Sequence, residues 1–229
     1  MERIKNLIPY FLLLLTIVNT IILFYHINFN GHERSDTSLS DNVTPNKITI
    51  YTKDKYAEKL ESEYNAAREN LAKEVEKYIT TIAPKSVVNA LTLVDLSSLY
   101  NVDIRFVLSQ GHLESHFATA GTASKTNSIF NVGAYDGDSA EQQKRNGFGY
   151  EHPDYSIEPY LKLLTNDYLV DGKTENDLLV NFVNKSDMRY ASDENYEVSL
   201  KSIYNNIDNI ANISETYETF KMYKLKLGR

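Results

Sequence analysis

Three patterns of apolar and polar positions divide this chain. From Leu7 to Ile27 it reads LIPYFLLLLTIVNTIILFYHI, apolar on every face and free of Asp, Glu, Lys and Arg. As a helix at 1.5 Å per residue this run spans about 30 Å, the thickness of a hydrocarbon core. Pro9 falls in the first turn, where a missing N–H is tolerated, and Tyr10, Tyr25 and His26 lie near the ends, where interfacial residues belong. The following NFNGHERSD lacks a small-residue cleavage pattern, so residues 1–30 are expected to form an uncleaved signal anchor, a transmembrane helix in contact with the lipid bilayer. Arg3 and Lys5 precede the span and favour a cytoplasmic amino terminus, leaving the rest of the chain extracytoplasmic, in the periplasm or at the cell surface.

The second pattern is polar and aperiodic: residues 31–52 are rich in Ser, Asp, Asn and Thr and read as a flexible linker. The third has helical period. Over 53–83, Leu60, Tyr64, Ala67, Leu71, Val75, Tyr78 and Ile82 recur by threes and fours, which predicts an amphipathic helix serving as a stalk or a packing element. Pro84 ends it. A second helix is expected over Val87–Tyr100, and Asp103 is a suitable N-cap for the next, IRFVLSQGHLESHF. Ala120 to Tyr155 is rich in Gly, Asn and Asp, with short β-prone pieces. Further helical stretches follow near 157–168, 175–183 and 193–210. The expected fold is mainly α: a helical domain over 84–213 with a small irregular or β-hairpin lobe, then a tail over 214–229.

Composition narrows the function. The net charge of −7, without clustered Lys and Arg, argues against nucleic acid as a partner. The absence of cysteine removes disulfide frameworks, thiolate nucleophiles and Cys-based zinc sites together. On the helix ending QGHLESHF, Val107, Gly111, Glu114 and Ala118 fall on one face. A carboxyl among apolar and small neighbours is desolvated, its pKa rises, and it can keep a proton for a leaving glycosidic oxygen. Gly111, costly in a helix, is explained if another backbone or a sugar comes close. His112 and His116 would supply at most two metal ligands and read as exposed helix histidines.

In order across Val94 to Ile207, four segments resemble the bacterial endo-β-N-acetylglucosaminidase autolysins, a family with an α+β lysozyme-like fold. LYNVDIRFVLSQGHLESHF is similar to their Gln-x-x-x-Glu-Ser helix, SIFNVGAYDG to the turn that floors the glycan cleft, YSIEPYLKLL to a helix opening with Ser-Ile, and RYASDENYEV to a Tyr-Ala-Thr-Asp-x-x-Tyr segment. The resemblance implies Glu114 as catalytic acid and Tyr190 in the cleft. It also implies a second acid after the turn, with Asp136 and Glu141 ahead of Asp138 and Glu151. Gln110, Ser128, Phe130, Asn131, Tyr135 and Tyr155 are the expected substrate-binding positions. Ser128, Asn131 and Gly133 depart from the family's Asn, Gly and Lys in that turn. The implied reaction is hydrolysis of β-1,4 links in peptidoglycan glycan strands, with no metal or organic cofactor. Competing readings are a muramidase or lytic transglycosylase on the same fold, a non-catalytic wall-binding module, and a phage lysis or virion component.

Overall fold

The computed structural model describes residues 53–133, 139–147 and 149–229. The expected anchor and linker, and with them Tyr135, Asp136 and Asp138, lie outside the described residues. Among the described residues no helix is long and apolar enough to cross a membrane.

The amphipathic period over 53–83 folds as α1 (Lys53–Ile82). Its apolar stripe of Leu60, Ala67, Leu71, Val75, Tyr78 and Ile79 is buried. Helix α2 (Ala90–Leu99) starts where the Asn89 side chain accepts from Thr92 N at 3.0 Å. Helix α3 (Ile104–Ser115) starts at Asp103, whose carboxylate accepts from Arg105 N at 2.9 Å. Such caps satisfy donors that the first turn leaves unpaired. Short α4 (Ala123–Thr126) and α5 (Ala140–Arg145) follow. Helix α6 (Ile157–Leu163) continues as a π turn to Tyr168; then come α7 (Glu175–Leu178), α8 (Tyr196–Asn206) and α9 (Ile213–Lys226).

Two expectations change. The lobe expected to be irregular or a β-hairpin carries the short helices α4 and α5; among the described residues the sole β pairing is an isolated bridge between Val183 and Arg189. Ser139 favours the helix there by capping α5, accepting from Gln142 N at 3.2 Å. The expected tail over 214–229 is instead mostly helix α9, which packs along α1. Phe220 is buried against Tyr64 with ring centroids 5.4 Å apart, and Arg229 bridges to Glu61 at 3.0 Å. The amphipathic helix is therefore a packing element, because α9 covers its apolar stripe.

Helix α3 lies at the centre. Ile104, Phe106, Val107 and Leu108 are fully buried, and α8 packs along it. Arg105 ties its start to both later helices: its guanidinium pairs with Asp103 and sits 5.2 Å and 5.7 Å from the Tyr204 and Tyr217 ring centroids. The opposite end of α3 is thereby held at the rim of the core.

Candidate active site

Helix α3 ends abruptly just after Glu114. His116, Phe117 and Ala118 all take left-handed backbone, with φ of 47°, 53° and 64°, a conformation that costs an L-residue about 1–2 kcal/mol each. Local bonds offset the strain. Phe117 N donates to Gly111 O at 3.0 Å, Ala118 N to Ser115 Oγ at 2.7 Å, and Ala120 N to Ser115 O at 2.9 Å. The turn folds the Phe117 ring beneath Gly111, where an added Cβ would meet Phe117 Cε1 at 3.0 Å and Ile129 Cγ2 at 3.1 Å. Side chains, not a sugar, explain that glycine. Ala118 consequently leaves the helical face on which the sequence placed it.

The turn at 128–131 is pinned between α3 and the start of α6. Ser115 Oγ donates to Ile129 O at 2.7 Å, and Ser156 Oγ accepts from Ile129 N at 3.0 Å. Asn131, itself left-handed at φ 49°, then donates from Nδ2 to Glu114 O at 3.0 Å and to Oε2 at 3.2 Å. The serines of the Glu-Ser and Ser-Ile pairs thus position the turn, and the turn positions the carboxyl.

On the other side stands a directed chain of hydrogen bonds. The Tyr160 hydroxyl donates to Gln110 Oε1, Gln110 Nε2 donates to the Tyr196 hydroxyl at 3.1 Å, and Tyr196 donates to Glu114 Oε1. Burial pushes the Glu114 carboxyl above its ordinary range, while the bonds from Tyr196 and Asn131 oppose part of that rise. Burial, and then the nearby Glu114, hold Tyr160, Tyr190 and Tyr196 well above the ordinary phenol value, so all three remain protonated donors.

Glu114 opens onto a cleft of about 830 Å³, lined also by His116, Asn131, Gln143, Arg189 and Tyr190. Arg189 is held there by Glu197 at 2.7 Å and by Asp193 O at 2.9 Å. Of the expected site residues, Asn131 and Tyr190 meet Glu114 in the cleft. Tyr190 donates to Phe130 O at 2.8 Å, and its ring stacks on Phe182 at 4.5 Å. Gln110 is 0% exposed and lies within the supporting network. Ser128 is buried, and Phe130 is buried with its ring stacked on Tyr160 at 3.7 Å; both form the floor beneath the cleft. Tyr155, 63% exposed, and Glu141, exposed in the first turn of α5, are outside the described lining, as is exposed Glu151. Among the described lining residues Glu114 is the one carboxylate. His116 also lines the cleft, whereas His112 bonds the Tyr78 hydroxyl at 2.8 Å and is pushed down by burial and by His116. Among the described residues no cluster of three or more His, Cys, Asp or Glu could hold a metal ion.

The residue that sequence reasoning missed is Tyr196. The available signal was the second tyrosine of the Tyr-Ala-Ser-Asp-x-x-Tyr segment, six positions after Tyr190. In the turn before α8 the Asp193 carboxylate accepts from Asn195 N at 2.9 Å, and Tyr196, the first residue of the helix, points inward at the carboxyl.

A protonatable, desolvated carboxyl at the rim of a cleft, on a helix fixed by buried packing, is the chemical equipment of a glycoside hydrolase. Residues 90–209 match the glucosaminidase family model, described as mannosyl-glycoprotein endo-beta-N-acetylglucosaminidase. That match covers more than half of the chain, which belongs to the glucosaminidase family. It is a glycosidase of the endo-β-N-acetylglucosaminidase type and a peptidoglycan hydrolase. Comparison with curated proteins and with solved structures gives no match.

Proposed function

We propose that the chain is a membrane-anchored enzyme that cleaves the β-1,4 glycan strand with Glu114 as general acid. The observation that carries this reading is the two-sided grip on the carboxyl. Because Tyr196 accepts from Gln110, its own proton is directed to Glu114 Oε1. Asn131 donates to Oε2. The acid proton then belongs on the remaining lone pair of Oε2, where it can pass to the bridging oxygen as the C–O bond breaks and oxocarbenium character develops. Loss of the proton leaves a carboxylate already supplied with two donors, a preorganised stabilisation of the charge that forms. Positive charge at the sugar is then met either by a carboxylate of the 134–138 segment, with Asp136 first, or by the substrate's own acetamido oxygen. Asp136→Asn and Asp138→Asn, made singly and together, separate these: a large loss of turnover selects the carboxylate, and unchanged turnover in the double variant selects the acetamido route.

The test of the main reading uses the full-length protein, wild type and Glu114→Gln, on purified peptidoglycan, with released fragments reduced and identified by mass. Reducing N-acetylglucosamine ends from wild type alone are the expected result. Reducing or anhydro muramic ends would reassign the bond to a muramidase or lytic transglycosylase. Binding without release would make the protein a wall-binding module.

The apolar run at 7–27 supports the anchor, and Arg3 and Lys5 before it support a catalytic domain on the extracytoplasmic side. Removing residues 1–30 is expected to move the protein from the membrane pellet to the soluble fraction; a wild-type protein already in the soluble fraction would sink the anchor.

A further inference from the structure

One residue of the cleft has no part in the chemistry described so far. Gln143, on α5, is only 4% exposed, yet it lines the same cleft as Glu114. Its Oε1 is buried without a hydrogen-bond partner. Folded proteins seldom tolerate such a group, because the lost solvation is not returned. Buried Ser97 Oγ is also without a partner, but Ser97 is not among the residues lining the cleft. A small hydroxyl sunk in packing is a local defect. An unpaired amide oxygen on a residue lining a cleft is a group that a ligand can satisfy.

The surroundings restrict what that ligand is. Ala120, Gly121, Thr122 and Ala123 line the cleft beside Gln143, and His116 stands at the same wall. Small side chains leave room there, and Gly121 has nothing within 4 Å of where a Cβ would stand. A primary amide offers one donor edge and one acceptor edge, and the two ends are nearly equal in shape, so rotation about its last bond exchanges them. The unpaired Oε1 is an acceptor, and the N–H of a secondary amide supplies the donor it lacks; the C=O of a trans amide points the opposite way, so one bond to the side chain is made. Peptidoglycan carries secondary amides in two places, the N-acetyl substituents of its sugars and the bonds of its peptide stems.

We propose that Gln143 is the recognition group of an amide-binding subsite at the α4–α5 end of the cleft, satisfied by a secondary amide of the substrate. The subsite rests on the glycan-cleaving reading and adds a discriminating contact to it. It lies on α5, in the lobe expected from the sequence to be irregular or a β-hairpin.

The test measures affinity in full-length Glu114→Gln protein, with and without Gln143→Leu, so that turnover does not consume the probes. Three probes are titrated: a peptide-free peptidoglycan tetrasaccharide, the same strand after de-N-acetylation, and a peptide-bearing tetrasaccharide. If the acetamido group is the ligand, the preference for the N-acetylated over the de-N-acetylated strand falls about tenfold in the Gln143→Leu protein, the size of one hydrogen bond in a desolvated site. If the stem supplies the amide, it is the preference for the peptide-bearing strand that falls. Retention of both preferences overturns the proposal, as does an equal loss on all three probes. The thermal midpoint supplies a second readout: Leu removes an unpaired polar group, so the midpoint should not drop. Gln143→Ala repeats the affinity test should Leu fail to fold. Failure of the acid assignment shows separately, as turnover retained by Glu114→Gln.

Discussion

The two walls of the cleft are built on opposite principles. On the α3–α8 wall every polar group named above is paired: Tyr160 with Gln110, Gln110 with Tyr196, and Tyr196 with Glu114. On the α4–α5 wall a nearly buried amide oxygen has no partner, and the backbone entering that wall runs through three consecutive left-handed residues. A paired network in a low-dielectric setting is rigid and holds an acid in one geometry. An unpaired group with open space beside it is poised for something outside the chain. The contrast separates a wall whose polar groups satisfy one another from a wall that leaves a polar group unpaired.

The largest test of that contrast is Glu114→Gln, expected to lower turnover on peptidoglycan by about 10³-fold, the middle of the range of a general acid's contribution. The same variant reports on stability. Burial raises the Glu114 pKa, so between the ordinary carboxylate value and the raised one the folded chain holds a proton that the unfolded chain has released. The stabilisation from that proton is complete below the ordinary value and is lost as pH rises through the raised one. Glu114→Gln cannot ionise, so its thermal midpoint should gain on wild type as pH rises through that window; a constant difference would show that the pKa is not raised.

Next in size is Tyr196→Phe, expected to cost about tenfold in kcat/KM, one hydrogen bond to the forming carboxylate. Since the Tyr196 bond lowers the Glu114 pKa against burial, removing it should shift the alkaline limb of the pH–rate profile to higher pH. A shift to lower pH would contradict the geometry. Ser156→Ala should destabilise by about 1–3 kcal/mol, because it strands the buried Ile129 N–H, and denaturant titration measures it. The smallest effect is a gain: Ala118→Gly should stabilise by about 1 kcal/mol, relieving an L-residue at φ 64°. A loss there would mean that the Ala118 methyl does more in packing than its backbone costs.

Where the sequence could be read, the reason was local. The stripe of α1, the Asp103 cap and the helix carrying Glu114 depend on residues a few positions apart, and all are found as expected. The helix at 213–226 was legible in principle, since Ile213, Tyr217 and Phe220 follow helical spacing, but its many charges and threonines masked the period. The middle lobe was harder. Its Gly and Asn residues suit turns of many kinds, and a capping serine at 139 tips one short segment into a helix.

The four motifs were visible as separate strings, and their meanings emerged only where they meet. Ser115 and Ser156, 41 residues apart in the chain, hold the carbonyl and the N–H of one residue, Ile129. Tyr190 and Tyr196 are equivalent by type and spacing; packing alone makes Tyr190 a prop for the Phe130 carbonyl and Tyr196 the donor to the acid. Gln110 looked like a sugar ligand because it is polar and near the acid, yet Tyr160 and Tyr196 enclose it. The sequence by itself determined the helix, the carboxyl group it carries and the family, because these are written in short-range order. The tertiary structure decided which polar groups are spent on one another and which are left for a substrate, because hydrogen-bond partners come from distant segments that burial brings together.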